Sequence, residues 1–191
     1  SAAYGDSEGD YKKETQLPEP ISPYGVAKLT GEFYCRAFYE TYGLETVALR
    51  YFNVFGSRQD PQSEYAAVIP KFITLMNQGK QPRIFGTGEQ SRDFTHIDNI
   101  VHGNLLASQS DDAVGQMMNL AIGESISLLQ LVETLNSVMG TDLPAIHEEA
   151  RAGDIMYSMA DISKAEDLLD FAPVVSFEEG LRRTVEWYQN Q

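Results

Sequence analysis

A single cysteine, Cys35, in 191 residues leaves no internal disulfide framework and suits a reducing compartment. Cations are scarce: 14 Lys and Arg against 28 Asp and Glu give a formal charge of −14. That balance argues against nucleic acid or an anionic membrane as partner, since both require a basic footprint. A phosphate-bearing ligand would have to be met by locally placed arginines. No apolar run is long enough to span a bilayer, and the N-terminus shows no signal-peptide pattern, so the sequence reads as cytoplasmic. His96, His102 and His147 share no metal-ligand spacing. Internal repeats and low-complexity tracts are also missing. What is present is an ordinary globular composition, 42% hydrophobic and 22% charged, long enough for one well-packed domain.

One stretch organises the rest. Ser22 is a good N-cap, Pro23 suits the first helical position, and Gly43 stops a helix that runs to about Tyr42. Apolar Val26, Leu29, Phe33 and Ala37 recur at the spacing of a buried helical stripe. Tyr24 and Lys28, four apart, fall on one face of the first turns. An ammonium held near a phenol favours the phenolate and makes a usable base near neutral pH.

Ahead of that helix, Ser1 to Tyr4 reads as the end of a strand and Gly5 to Ile21 as a polar loop. Behind it, Glu45 to Phe52 reads as a β-branched and aromatic strand and Asn53 to Gln62 as a loop. Helices are predicted over Tyr65 to Asn77, Asp98 to about Ser108, Ser127 to Met139 and Ser163 to Leu169, with a final one capped by Ser176 that turns Leu181, Val185 and Trp187 inward. Pro82 to Phe85, Phe94 to Ile97, Gln116 to Ile122 and Ile155 to Met159 read as strands. Helices alternating with apolar strands imply an α/β fold with a parallel sheet.

Further segments carry chemistry. They are Leu49-Arg50-Tyr51-Phe52-Asn53-Val54-Phe55-Gly56, then Ser91-Arg92-Asp93-Phe94 with His96-Ile97-Asp98, then Arg151-Ala152-Gly153-Asp154, and Ala160-Asp161-Ile162-Ser163-Lys164-Ala165. With Ser1-Ala2-Ala3-Tyr4-Gly5 and the Tyr24/Lys28 helix, these resemble, in order and over nearly the whole chain, the extended short-chain dehydrogenase/reductase family, and within it the NAD-dependent nucleotide-sugar epimerases. The resemblance implies the C-terminal part of a Rossmann-like parallel sheet, residues 1–62, interleaved with a smaller α/β nucleotide-sugar-binding portion, residues 63–191.

It also implies roles. Tyr24 is the base, Lys28 assists it and meets the nicotinamide ribose, and Ser1 is either the third catalytic residue or its neighbour. Tyr51 and Phe52 lie by the nicotinamide. Arg92 and Arg151, with Asp154, face the diphosphate, and the planar guanidinium fork suits that task. Val68, Arg83 and Phe85 surround the uracil, and Asn53 and Gln59 reach the sugar. Ser158 stands where epimerases restricted to plain hexoses hold a bulky Tyr, leaving room for a 2-N-acetyl group, so a UDP-N-acetylhexosamine or its uronic acid is the expected substrate. Ala2 stands where dehydratases and decarboxylases of the superfamily place an acid, which favours simple epimerisation. Ser163 would cap a helix. Phe33, Tyr34, Phe38 and Tyr39 are core or, as family members dimerise through this helix, subunit interface.

One departure from the family pattern is large: the glycine-rich strand–turn–helix unit that cradles a dinucleotide is missing. Gly86-Thr87-Gly88 follows a short strand, but no helix follows it. The chain therefore reads as the C-terminal part of an epimerase-type subunit, as a shortened protein, a fragmentary gene or one half of a split protein. A non-catalytic nucleotide-sugar-binding or structural fragment is the competing class, and a related nucleotide-sugar dehydratase or decarboxylase is the other alternative.

Overall fold

The computed structural model describes residues 1–6, 9, 11–62, 68–150 and 155–191. Arg151 and Asp154 lie outside the described residues.

Helix α1 (Pro23–Tyr42) has the expected ends: the Ser22 hydroxyl accepts from the Gly25 amide, and Gly43 adopts the left-handed conformation at φ 66°. Strand β1 (Ala48–Tyr51) runs parallel to β6 (Met117–Leu120). Strand β2 (Val54–Phe55) is parallel to β5 (Thr95–His96), and β3 (Arg83–Phe85) is parallel to β8 (Ile146–Glu148). Strand β4 (Ser91–Arg92) is antiparallel to β7 (Ile126–Ser127). Between them lie α2 (Val68–Asn77), α3 (Ile97–Ala107), α4 (Leu128–Met139), α5 (Ser163–Leu169) and α6 (Phe177–Gln189). The fold is α/β, with a predominantly parallel strand arrangement, and the β1–β6 pair crosses the division at residue 62.

The largest core joins Ile69, Phe72, Ile73 and Met76 of α2 to Leu131 and Leu135 of α4 and to Leu181 and Val185 of α6. Each such side chain, fully buried, contributes about 1.5–3 kcal/mol. A second cluster packs Met118 and Leu120 of β6 against Ile100 of α3 and Leu169 of α5. A third, small one holds Tyr4, Phe52, Ala121 and Ala160, and it forms the floor of the site described below.

Several expectations are corrected. Ser1 to Tyr4 is not a strand end: Ala2–Tyr4 form a 3₁₀ turn. Of the stripe Val26, Leu29, Phe33, Ala37, only Leu29 turns towards the core. Phe33 is 61% exposed, and the line that turns inward on α1 is Gly25, Leu29, Glu32, Cys35 and Tyr39. Hydrophobic spacing identified the helix but not its packed face, because an apolar face in solvent and one in the core share a period. Phe33, Tyr34 and Phe38 are accordingly not core. Residues 155–159 form no strand ladder, although Met156 and Ser158 accept backbone hydrogen bonds from Ser91 and Asp93 at 2.8 Å each. Ser163 does not cap α5; its amide and hydroxyl both donate to Asp161 Oδ1, at 3.0 and 2.6 Å. Trp187 is half-buried rather than inward, and the predicted loop after Phe52 contains β2.

Candidate active site

Part of the predicted set, Ser1, Tyr24, Lys28, Tyr51, Phe52 and Asn53, lies at or beside the C-terminal end of β1 in the parallel pair β1 and β6, the end at which ligands of open α/β sheets bind. The Phe52 amide donates to the Leu120 carbonyl at 3.4 Å, and the Ser1 nitrogen donates to the Tyr51 carbonyl at 2.7 Å. Tyr4 packs under this junction, its ring centroid 6.1 Å from that of Phe52. The N-terminus of α1 seats on the same turn. A Cβ on Gly25 would lie 2.6 Å from the Ala2 carbonyl oxygen, so only glycine permits this approach, and the Tyr24 end of α1 is held against Ser1–Ala2. Lys28 Nζ stands 5.2 Å from the centroid of the Tyr24 ring, within reach of a cation–π attraction. Both side chains are exposed.

Alternation carried one residue past β1 separates the side chains of Tyr51 and Phe52. Phe52 is buried in the small core, whereas the Tyr51 hydroxyl donates to Asn104 Oδ1 of α3 at 2.9 Å. Asn53 is half-buried, and its carbonyl accepts from the Thr95 amide at 3.2 Å. This contact links the β1 end to the segment after β4. There the half-buried Arg92 donates to the Ser91 carbonyl at 2.8 Å. Ser158, 8% exposed, lies alongside, its carbonyl bonded to the Asp93 amide. Ser1, Tyr24, Lys28, Asn53, Arg92 and Ser158 thus belong to adjoining segments. The remaining assignments are more peripheral. Gln59 donates through Nε2 to the Val54 carbonyl at 3.2 Å, so its amide turns back on its own loop. Val68 packs on the main core at the start of α2. Arg83 pairs with Glu148 across β3 and β8 at 3.0 Å. Phe85 is half-buried, its carbonyl accepting from Gln90 Nε2 at 2.6 Å where the chain turns from β3 towards β4.

Two buried polar constructions were not anticipated. Arg50, 5% exposed, makes a two-pronged pair with Glu32, at 2.8 and 2.7 Å, and lies 4.4 Å over the Tyr4 ring. The Tyr4 hydroxyl donates to Asn119 Oδ1 at 2.6 Å. This network ties α1 to β1, to the Ser1 turn and to β6. The signal in the sequence was an arginine inside an apolar strand, which must find a partner once buried. The second is Asp93, which is 0% exposed. Burial pushes its carboxyl up to about 6, while the amides of Ala160, Ile122 and Gly123 and the Thr95 hydroxyl pull the other way.

A cavity of about 1050 Å³ lies elsewhere, between α1, the 13–16 turn and α5, lined by Leu29, Cys35, Arg50, Met117 and Asp161 among others. None of the predicted site residues lines it. Gly86 and Gly88 adopt positive φ, 84° and 85°, but β4 rather than a helix follows them. They do not form a pyrophosphate cradle, and among the described residues no glycine-rich strand–turn–helix unit for a dinucleotide occurs. No group of three or more potential metal ligands occurs among the described residues, and no described helix is long and apolar enough to cross a membrane.

The chain is similar to several known proteins. The UDP-N-acetylglucosamine 4-epimerase of Methanobrevibacter ruminantium M1, solved in complex with UDP-N-acetylmuramic acid, is 45% identical. It superposes with a TM-score of 0.95 over 100% of this chain and 61% of its own. The UDP-glucuronic acid 4-epimerase of Bacillus cereus, in complex with UDP-glucuronic acid and NAD, is 34% identical, with a TM-score of 0.90 over 100% of this chain and 59% of its own. The UDP-glucose 4-epimerase of Mycolicibacterium smegmatis is 31% identical over 100% of this chain and 60% of its own length. The chain spans about 60% of the length of the curated relatives it matches. The profile of the epimerase family, described as the NAD dependent epimerase/dehydratase family, matches residues 1–123. With its sheet, its Tyr24/Lys28 helix and that match in agreement, the chain belongs to the NAD dependent epimerase/dehydratase family.

Proposed function

We propose that this chain is the substrate-binding, C-terminal portion of an NAD-dependent UDP-sugar 4-epimerase. The observation that carries the reading is the convergence of the Tyr24/Lys28 helix, the Ser1 turn and the Arg92 segment on one end of the β1–β6 pair. The likeness to three 4-epimerases, each named for a different UDP-sugar, supports the reaction class.

In this reading Tyr24 takes the proton of the sugar 4-hydroxyl and later returns it, and Lys28 holds the charge of the phenolate by proximity. Bound NAD supplies the hydride acceptor and donor. Arg92, with Arg151, anchors the diphosphate, leaving the sugar free to present either face to the same base. Asn53 sits where the sugar enters, and Phe85 and Val68 take the uracil side with Arg83. Ser158 leaves space beside C2, so the substrate pair is UDP-N-acetylglucosamine and UDP-N-acetylgalactosamine, or their uronic acids. Ala2 provides no carboxylate for elimination. The chain by itself binds the nucleotide sugar, and turnover requires a dinucleotide-binding portion.

The test joins the chain to the dinucleotide-binding portion of a relative and follows conversion of UDP-N-acetylglucosamine. Tyr24→Phe should lower turnover on the order of 10²–10⁴-fold while leaving nucleotide-sugar affinity within about threefold. Unchanged turnover would contradict the role of Tyr24. Ser158→Tyr should suppress acetylated substrates selectively, and equal turnover of acetylated and plain sugars in that variant would remove the pocket-size argument.

A further inference from the structure

The family resemblance gives Arg92 a ligand and leaves its neighbour Asp93 without a task. Asp93 is fully buried, and no cation pairs with it among the described contacts. A charge in that position must be compensated entirely by hydrogen bonds. The compensation is divided between its two oxygens. Oδ1 accepts from the Ile122 amide at 3.2 Å and the Thr95 hydroxyl at 3.3 Å, and Oδ2 accepts from the Gly123 amide at 3.0 Å and the Ala160 amide at 3.3 Å. Two of the donor segments are distant in sequence, the turn after β6 and the stretch entering α5, and the third donor is Thr95 of β5, two residues along the chain. Backbone bonds continue the same junction: the Asp93 amide reaches the Ser158 carbonyl, and the Thr95 amide reaches the Asn53 carbonyl. An apolar residue at 93 would leave buried amides without an acceptor.

Successive side chains of an extended chain point to opposite sides. Arg92 and Asp93 therefore project away from each other, Asp93 into the junction and Arg92 away from it. We infer that Asp93 is a positioning residue for the diphosphate side of the site: its carboxylate locks the segments bearing Arg92, Ser158 and Asn53 into one register, so that the guanidinium meets the diphosphate at a fixed distance from the sugar pocket. The inference rests on the UDP-sugar reading above.

Asp93→Asn is isosteric but cannot serve both pairs of donors, because one of its two terminal atoms is itself a donor. Titrating the wild-type chain, Asp93→Asn and Arg92→Ala with UDP-N-acetylglucosamine, and with uridine as a ligand lacking the diphosphate, tests the idea. Expected is a loss of UDP-N-acetylglucosamine affinity of about tenfold or more in Asp93→Asn, with uridine affinity held within about twofold. Equal weakening of both ligands would mean general loosening and overturn the positioning role, as would an Asp93→Asn variant that binds both like wild type. If Asp93→Asn does not fold, Thr95→Val removes one hydroxyl donor from the carboxylate. It should keep a cooperative melt and weaken UDP-N-acetylglucosamine about threefold relative to uridine, and no relative change would overturn the proposal. A folded wild-type chain that binds neither ligand would overturn the UDP-sugar reading itself, and the diphosphate role of Asp93 with it. Loss of binding in Arg92→Ala beside intact binding in Asp93→Asn would overturn the Asp93 role alone.

Discussion

Asp93 is the residue whose chemistry bears most directly on stability. Its folded-state value of about 6 lies above the ordinary 3.8, so between those values the native state holds more protons than the unfolded chain. Stability from this group is therefore greatest below 3.8 and falls as pH rises through about 6. The difference in unfolding free energy between wild type and Asp93→Asn should fall on the order of 2–3 kcal/mol between about pH 4 and pH 7. Denaturant midpoints measured across that range check it, and a flat difference would contradict the buried, charge-opposing environment. Glu32 sets a second residue-scale expectation. Glu32→Gln removes one member of the pair with the buried Arg50, and breaking such a pair costs about 3–5 kcal/mol. As Glu32 is itself partly exposed, the lower end of that range is expected, read from the shift in urea midpoint.

Among elements, α1 decides whether the site exists. Its end is set by the Ser22 cap and its seat by Gly25, whose added Cβ would strike the Ala2 carbonyl and approach Pro20 at 3.0 Å. Gly25→Ala should cost about 1–3 kcal/mol by overpacking, despite alanine's better helix propensity. A variant as stable as wild type by thermal melting would contradict the tight seat. The same element shows what was legible in the sequence. Several caps and stops were, Ser22 and Gly43 for α1 and Ser127 for α4, whereas the cap expected of Ser163 on α5 was not. The packed face of α1 was not, since Val26 and Phe33 lie in solvent while Glu32 turns towards buried Arg50. Two-residue strands such as β2 and β4 carry no period to read. For the candidate site, motif residues from separate segments, Ser1, Tyr24, Asn53 and Arg92, meet beside the end of β1. Asp93, Asn119 and the Glu32–Arg50 pair were missed because their roles depend on backbone donors and partners brought together by the fold from distant positions.

On the scale of the whole molecule, apolar side chains stand exposed on two helices among the described residues. Phe33, Tyr34 and Phe38 stand out on α1, and Val101 and Leu105 on α3. Contiguous exposed apolar surface of this kind favours association. Sedimentation velocity should show concentration-dependent self-association of the chain, shifted towards monomer by the double change Phe33→Asp and Phe38→Asp. A wild-type chain that is monomeric at high concentration would contradict this use of the α1 face. The net charge of −14 makes the local arginines more telling at this scale, because an anionic ligand must be drawn in against the field of the whole protein.

If one end of the β1–β6 pair is a UDP-sugar site, calorimetric titration of the folded chain with UDP-N-acetylglucosamine, with and without NAD, will show saturable binding in both cases, lost in Arg92→Ala. A folded chain that gives no binding heat at any ligand concentration and no ligand-induced rise in melting temperature would contradict it.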